Sequence, residues 1–364
     1  SYKNFFFEKN CFSIPKLSYT LRTSPCYTHQ LLAEYDAIIQ STLESIMNVT
    51  LSGDAWEQST LPVANGGIGV RRATDVALPA YLSSVTGSHA LVIQLLPQAL
   101  HEVAGINEPI FAAALNEWQS RAGVISVQQP LPTAQKVWDA PLVKAQEAKV
   151  SAAASDQAGK ARLTAASAPH SGAFLHARPC ASLGTRLDNS SLRIAVALRL
   201  GAPVCLPHTC ICGAPVDNTG RHGLSCRKSA GRLSRHSAVN ELIKRALMSA
   251  EIPSRLEPTS LAQHNDRRPD GMSLTPWTRG RCLAWDFTCP DTLAPSHLNI
   301  AVNGPGVVAN EAEMKKRAKY ACLTATFHFV PIAVETLGSL GEEADNFIHD
   351  LGRRITTVTG ERRA

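Results

Sequence analysis

The sequence predicts an α/β protein in which a mixed sheet is flanked by helices and preceded by a mostly helical region. Three observations support this prediction. Apolar residues in the first third of the chain recur at helical spacing. After residue 231 the pattern reads helix, two strands, helix, strand and helix, an order that indicates a mixed sheet packed by helices. The length of 364 residues is sufficient for two domains, each with its own core.

Residues 1–125 are predicted to be mostly helical. One amphipathic helix is indicated by apolar residues at helical spacing, namely Leu31, Tyr35, Ile38, Ile39 and Leu43. Residues 61–69 interrupt this pattern, because Pro and paired Gly cannot continue a helix. A second helix is predicted over 73–85. Residues 126–171 are rich in Ala, Ser, Gln and Lys and are predicted to form a linker, partly helical around 143–154.

The remaining chain is predicted to form two further regions. The first, 172–230, begins with an apolar helix over 192–200. The second, 231–364, opens with a helix over 231–248 whose core stripe is Val239, Leu242, Ile243, Ala246 and Leu247. Strands are predicted at 270–275 and 283–289, then a helix at 310–324 and a buried strand at 327–334. The last helix has a predicted core face of Ala344, Phe347, Ile348, Leu351 and Ile355.

Basic residues are concentrated in two stretches of a chain whose formal net charge is +6. One stretch contains Arg227, Lys228, Arg232, Arg235, Lys244 and Arg245, and the next contains Arg267, Arg268, Arg279 and Arg281. Such clustering suits a phosphate backbone, although a solvated surface is the alternative. We therefore predict nucleic-acid contacts from Arg232, Arg235, His236, Lys244, Arg245 and Arg268.

The sequence gives no sign of secretion or membrane insertion. Its start lacks the order of a signal peptide, and we expect no transmembrane segment. Since it does not begin with Met, we expect a piece of a longer protein. Four of its ten cysteines lie between Cys205 and Cys226 beside histidines, which in an intracellular protein indicates metal binding rather than disulfides.

The sharpest local pattern is Cys210-Ile-Cys212 followed by His222-Gly-Leu-Ser-Cys226. Thiolates and imidazoles are the ligands that tetrahedral zinc prefers, and two close pairs joined by a short turn can complete its coordination. We predict a structural Zn²⁺ site, because four filled positions leave no slot for catalysis. Cys205 and His208 are alternative ligands, and a group of reduced core cysteines is the other interpretation.

A second pattern combines two carboxylates with a basic helix. Strand alternation puts Asp286 on the face opposite Trp285, and a hairpin brings Asp270 beside it. Two adjacent carboxylates repel unless a cation neutralises them, which predicts Mg²⁺ or Mn²⁺. Lys316 and Tyr320 share a helix face, with Lys319 beside them, and a lysine near such an ion stabilises charge on a scissile phosphate.

Taken in order, these motifs resemble the C-terminal module of site-specific non-LTR retrotransposons. The resemblance covers about residues 172–360 and includes the Cys/His run, the helix with Arg235-His236, and Arg268-Pro269-Asp270-Gly271 followed by Trp285-Asp286. That module pairs a CCHC zinc knuckle (172–230) with a restriction-like endonuclease of the PD-(D/E)XK class (231–364).

The resemblance implies a role for individual residues of the second region. Asp270 and Asp286 look like the metal-binding carboxylates, while Thr288 occupies the strand slot where many members of the class keep lysine. The lysine is then on the next helix, with Lys316 the best match and Lys315 and Lys319 as alternatives. Glu257 is a looser candidate for a further acidic ligand.

The N-terminal region is similar to the stretch that follows the polymerase palm in such proteins, through Trp56, residues 61–63 and residues 66–71. The adjacent Asp-Asp of a reverse-transcriptase active site is missing from the sequence, so no polymerase activity is expected. The expected function is nicking of target DNA to prime reverse transcription, in the nucleus, with DNA and the element's RNA as partners and without a membrane or a small-molecule substrate. The alternatives are a catalytically inactive, zinc-containing nucleic-acid-binding protein and a zinc-stabilised scaffold.

Overall fold

A computed structural model describes residues 2–127, 129–181, 184–229, 231–259 and 268–361, without the side chain of Arg232. The predicted nucleic-acid contact of Arg232 and the basic residue Arg267 therefore lie outside the described side chains. The chain divides into two compact units. Unit 1 comprises Ser1–Ser155 and Ala173–Val204, and unit 2 comprises Asp156–Gly172 and Cys205–Ala364.

The described residues form helices and a smaller number of strands. The helices are α1 Tyr2–Phe7, α2 Ile14–Thr23, α3 Gln30–Met47, α4 Gly53–Thr60, α5 Ala73–Leu95, α6 Pro109–Ala122, α7 Gln135–Ala153, α8 Gln157–Ala166, α9 Asn189–Leu200, α10 His222–Ser225, α11 Gly231–Ser249, α12 Leu298–Ala301, α13 Val307–Lys319 and α14 Glu342–Thr359. The strands are β1 His208–Thr209, β2 Pro215–Val216, β3 Ser254–Leu256, β4 Gly271–Thr278, β5 Arg281–Thr288 and β6 His328–Ala333. Short π or 3₁₀ turns lie at Glu8–Phe12, Val63–Asn65, Gln98–Val103, Gly105–Asn107, Ala173–Leu175 and Ala321–Ala325.

Unit 1 is helical, and its core is formed by the apolar faces of its helices. The predicted helix near residue 31 is present as α3, but its buried face differs from the predicted one. Leu32, Ile39 and Leu43 are buried, whereas Leu31 and Ile38 are exposed. The period of 3.6 residues was correct, and the predicted stripe was displaced around the helix.

The turn-rich segment at residues 61–69 is held by buried polar groups. The Arg199 guanidinium on α9 donates to the main-chain oxygens of Gly67 (2.9 Å) and Val63 (2.8 Å). The Gln58 amide on α4 donates to the main-chain oxygen of Gly66 at 2.9 Å. A Cβ at Gly67 would lie 2.0 Å from the main-chain oxygen of Leu61, so only glycine fits there.

Helix α5 extends ten residues beyond the predicted helix over 73–85. By length and composition alone it is the one helix of the described chain that is sufficient to cross a membrane. Of its most apolar 18-residue window, 44% is buried inside the protein, and the core helix of a soluble protein passes the same test. Its N-terminal half packs into the core of unit 1. The span predicted as a linker, 126–171, contains α7 and α8.

Unit 2 contains a four-stranded mixed sheet in the order β3-β4-β5-β6. The first three strands are antiparallel, and β6 runs parallel to β5. The turn between β4 and β5 places Arg279 (φ 48°) and Gly280 (φ 74°) in the left-handed region, as a two-residue hairpin requires. The predicted mixed α/β class is thus confirmed, and this sheet contains one strand, β3, that the sequence pattern did not predict.

Helices α11 and α14 pack on the sheet through one apolar core. The residues that share this core include Leu247, Trp285, Phe287, Ile332, Phe347 and Leu351. Two residues predicted to face it are exposed instead: Leu242 on α11 and Ile348 on α14. A Cβ at Gly271 would lie 2.1 Å from the Trp285 ring, so β4 requires glycine where the indole crosses it.

Two buried carboxylates fix helix ends in unit 2. Glu313 on α13 accepts hydrogen bonds from the main-chain N–H groups of Glu343 (3.0 Å) and Ala344 (2.9 Å) in the first turn of α14. Glu335 accepts one from Ala309 near the start of α13 at 3.2 Å. A carboxylate at a helix N-terminus satisfies otherwise unpaired donors and complements the helix dipole. Helices α13 and α14 are therefore tied together.

Candidate functional site

The four predicted zinc ligands form one cluster. One donor atom each from Cys210, Cys212, His222 and Cys226 lies within 4.8 Å of the other three. The Cys212 thiol is 3.1 Å from His222 Nε2, and the Cys210 and Cys226 sulfurs are 3.7 Å apart. The sulfur separation is well beyond the ~2.05 Å of a disulfide. The cluster can hold a metal ion.

Local backbone structure explains why these residues converge. Strands β1 and β2 form a small hairpin whose end carries Cys210, and Gly213 follows with φ +90°, which lets the chain reverse. The short helix α10 begins at His222, and the main-chain N–H of Cys226 donates to His222 O at 3.0 Å. The main-chain N–H of Cys212 lowers the pKa of the Cys210 thiol, which favours the thiolate form that binds metals.

The alternative ligands point elsewhere. The Cys205 thiol contacts the main-chain oxygen of Asp217 at 3.4 Å. His208 Nδ1 hydrogen-bonds to the main-chain oxygen of Leu206 at 2.9 Å. Neither belongs to the four-residue cluster.

The second group of predicted residues centres on Asp286, whose side chain is only 4% exposed. Oδ2 forms an ion pair with the Lys316 ammonium, and Oδ1 accepts a hydrogen bond from the Tyr320 hydroxyl at 2.8 Å. Both partners come from the end of α13, one helical turn apart, as the sequence predicted for a shared face. Asp286 therefore lies buried in the sheet, between a cation and a phenol.

Asp270 lies at the neighbouring position of the hairpin, just before β4. Its Oδ2 accepts hydrogen bonds from the Phe287 main-chain N–H (2.7 Å) and lies 3.0 Å from His236 Nε2. Burial and the charge of Asp286 raise the pKa of Asp270, while these hydrogen-bond partners oppose the shift. The two aspartates thus interact electrostatically, which is the like-charge effect that the sequence predicted.

A chain of hydrogen bonds fixes the orientation of His236. The Trp285 indole N–H is a donor only, and it donates to Asn240 Oδ1 at 3.0 Å. The Asn240 amide nitrogen then faces His236 Nδ1 at 3.3 Å and must be the donor. In the neutral imidazole Nδ1 is consequently the acceptor, and Nε2 carries the proton that points to Asp270.

This arrangement adds two residues that sequence reasoning missed as parts of the aspartate site. His236, which was predicted to contact nucleic acid, lies against Asp270 with its side chain 44% exposed, and that prediction stays untested. Asn240, which is buried, was not singled out, although an Asn within the predicted apolar stripe of α11 was a usable signal. In the described residues, Asp270 and Asp286 do not belong to a cluster of three or more His, Cys, Asp or Glu donors within 4.8 Å.

The basic residues near Lys316 make different contacts from those of Lys316. Lys315 points outward and pairs with Glu311 at 2.8 Å, so it does not reach Asp286. The Lys319 ammonium contacts the Tyr320 hydroxyl at 2.8 Å and lies over its ring. The looser candidate Glu257 is exposed and forms an ion pair with Arg268, which is on the segment that leads into Asp270. The main-chain oxygen of Arg268 lies 2.8 Å from the Tyr320 hydroxyl.

The other predicted nucleic-acid contacts lie on α11. Arg245 is exposed, and Arg235 and Lys244 are partly exposed. Burial raises the pKa of the Cys289 thiol, just after β5, and the positive charge of the nearby Arg235 partly opposes this shift. These positions place positive charge on the same helix that carries His236.

A scan against protein-family models finds no match, and a search of curated proteins finds none either.

Proposed function

We propose that the chain is the C-terminal region of a non-LTR retrotransposon protein and that unit 2 is a divalent-metal-dependent DNA endonuclease. The observation that carries the proposal is the arrangement around Asp286. Asp270, just before β4, and Asp286, on β5, interact, and Lys316 of α13 pairs with the more deeply buried Asp286. The mixed sheet with helices packed on it gives the general α/β class, and the restriction-endonuclease-like fold is part of the proposal that rests on the sequence motifs.

The donor set fits a hard divalent cation. Asp270 and Asp286 supply carboxylate oxygens, and Mg²⁺ is commonly bound by one or two carboxylates with the remaining positions filled by water. Burial and the nearby Asp286 carboxylate raise the pKa of Asp270, and a cation bound there would favour its ionised form. A bound Mg²⁺ or Mn²⁺ would supply an activated water and polarise the phosphate.

The protein's own residues would prepare the site for that chemistry. His236 and the Phe287 N–H orient the Asp270 carboxylate, and the Trp285–Asn240 pair holds His236. Lys316, with a side chain 25% exposed, is positioned to leave Asp286 for a phosphate oxygen, where it would stabilise developing charge. Tyr320 would keep Asp286 oriented when Lys316 moves.

Other parts of unit 2 would bind zinc and contact the DNA backbone. The Cys/His cluster would hold Zn²⁺, because thiolate and imidazole donors in tetrahedral sets select that ion. Its ligands would be Cys210, Cys212, His222 and Cys226. Arg235, with the other basic residues of α11, would contact the DNA backbone without specifying sequence. The natural partners would be a DNA target and the element's RNA, and the site of action would be the nucleus.

The deciding experiment measures nicking of supercoiled plasmid by the purified, zinc-loaded protein in Mg²⁺ or Mn²⁺. We expect the wild type to convert supercoiled plasmid to the open circular form, and Asp270→Ala and Lys316→Ala to lose this activity. Lys315→Ala is the matched control, because Lys315 is adjacent on α13 but pairs with Glu311. Nicking that Asp270→Ala and Lys316→Ala retain would refute the proposed catalytic role of this site.

The second candidate is a nucleic-acid-binding protein without catalytic activity. The observation in its favour is that Asp286 is already neutralised by Lys316. A gel-shift assay on the same variants separates the two functions. Salt-sensitive DNA binding by a wild type that does not nick in any divalent cation would establish the binder.

A further inference from the structure

A second group of metal-binding side chains lies in unit 2, away from both sites described above. One donor atom each from His170, Asp345 and His349 lies within 4.8 Å of the other two. His170 Nε2 is 3.9 Å from Asp345 Oδ1, and His349 Nδ1 is 3.5 Å from Asp345 Oδ2. The two imidazole rings are 5.7 Å apart in an edge-to-face arrangement.

The segment that carries His170 is held in an unusual backbone conformation. His170 has φ +64°, in the left-handed region that a side chain other than glycine seldom adopts. The next residue, Ser171, is buried, and its hydroxyl donates to the main-chain oxygens of Ala166 (2.8 Å) and Ala168 (2.9 Å). Gly338 packs so closely that a Cβ there would lie 3.2 Å from Ser171 Cα. The surrounding contacts therefore hold His170 facing α14 despite the cost of its backbone conformation.

Helix α14 supplies the other two donors from its outer face. Asp345 and His349 are four residues apart and so lie one above the other, opposite the face that buries Phe347 and Leu351. His349 Nδ1 hydrogen-bonds to the main-chain oxygen of Asp345 at 2.9 Å. The same nitrogen lies beside Asp345 Oδ2, so a metal ion bound through Nδ1 would replace this hydrogen bond, whereas one bound through Nε2 would retain it.

We propose that His170, Asp345 and His349 bind a divalent transition-metal ion such as Zn²⁺, Co²⁺ or Ni²⁺. Two imidazoles and one carboxylate suit these ions, whereas Mg²⁺ and Ca²⁺ prefer oxygen ligands alone. Donors about 2.1 Å from one tetrahedral ion lie roughly 3.4 Å apart, so side-chain shifts on the order of 1 Å would close the site from the present separations.

The coordination would remain incomplete after these three donors bind. Asp345 also lines an open pocket of about 280 Å³, together with Pro169, Asn310 and Glu342. A fourth ligand, water or a small anion, would approach the ion from solvent, because all three side chains are at least 41% exposed. This site is independent of the proposed nuclease chemistry, since it contains none of the residues around Asp286.

The test is a calorimetric titration of the full chain with Ni²⁺, after the cysteine cluster has been loaded with Zn²⁺ and in excess Mg²⁺ to cover the aspartates. We expect the wild type to bind one further equivalent. His349→Ala and Asp345→Asn should weaken this binding by about tenfold or more, the order seen when even the supporting shell of a metal site is disturbed. The matched control is Asp350→Asn, which is on the same helix but pairs with Arg354 at 3.1 Å.

Two further measurements distinguish binding at this site from a folding defect and from binding at the cysteine cluster. His170→Asn should keep the left-handed backbone, which Asn tolerates, and still lose the Ni²⁺-dependent rise in Tm that the wild type shows. A repeat with Co²⁺ should give no thiolate-to-cobalt charge-transfer band, which places the ion outside the cysteine cluster. The proposal is overturned if the wild type binds no further equivalent, or if all three ligand variants bind as the wild type does.

Discussion

The pairing of Lys316 with Asp286 makes a stability prediction that does not require any activity. Lys316→Met keeps much of the apolar stem but removes the ammonium from a carboxylate that is 4% exposed. Removing one partner of a buried ion pair leaves an uncompensated charge, which costs about 3–5 kcal/mol. The cost here should lie near the lower end, since Tyr320 still donates to Asp286 and Lys316 is itself 25% exposed.

We therefore expect Lys316→Met to lower the free energy of unfolding by about 3 kcal/mol. For a domain of about 150–250 residues this corresponds to a fall in Tm of about 6–12 °C. Urea denaturation followed by circular dichroism, without divalent cations beyond the bound zinc, measures the change. The control Lys315→Met breaks only a surface pair with Glu311 and should cost less than about 1 kcal/mol.

The double variant Asp286→Asn/Lys316→Met completes the test. Removing both charges should recover at least about 1.5 kcal/mol relative to Lys316→Met alone, because no buried charge is left without a partner. Equal losses for Lys316→Met and Lys315→Met, or a double variant no more stable than Lys316→Met, would show that the pair is not formed as described.

Three other predictions concern the same unit. Burial raises the pKa of Asp270, so the native state holds that proton more tightly than the unfolded chain does, and stability is lost as the pH rises above the ordinary value of 3.8. Without divalent cations, Asp270→Asn should therefore be more stable than the wild type at neutral pH. In thermal melts this difference in stability should vanish below pH ~4. A difference of the same size at every pH would contradict the prediction. Asn240→Leu leaves the buried Trp285 N–H without an acceptor, so it should lower the free energy of unfolding in urea by about 1–3 kcal/mol. It should also raise the Mg²⁺ concentration needed for nicking. Unchanged stability and Mg²⁺ dependence would argue against the hydrogen-bond chain. Chelation of zinc, or Cys226→Ser, should unfold residues 205–229 and expose them to limited proteolysis; equal protection with and without zinc would remove the metal from the folding of this segment.

Local patterns predicted the parts of the fold that depend on short-range rules. Two-residue alternation placed Asp286 opposite Trp285, and the four-residue helical repeat placed Lys316 and Tyr320 together. These features are fixed by backbone geometry, so a single sequence is sufficient to find them.

Features that depend on distant partners were missed. Strand β3 has only three residues and exists because it pairs with β4, so its own residues carry little signal. Leu31 and Ile38 have the same chemistry as their buried neighbours, and only the packing of other helices decides which face is covered. The contact of His236 with Asp270 joins residues that are 34 positions apart in the sequence, and periodicity cannot predict such a pair.

Glu313 has a further consequence for the lysine one turn later on α13. In a strand, the pleat fixes the face to which a lysine side chain points. On a helix, the direction of a lysine side chain is fixed only if the helix cannot rotate about its own axis. The hydrogen bonds of Glu313 to the start of α14 prevent that rotation. A single residue inserted between Glu313 and Lys316 would turn the ammonium by about 100° and carry it away from Asp286. The interval between this carboxylate and this lysine should therefore tolerate substitutions far better than insertions or deletions.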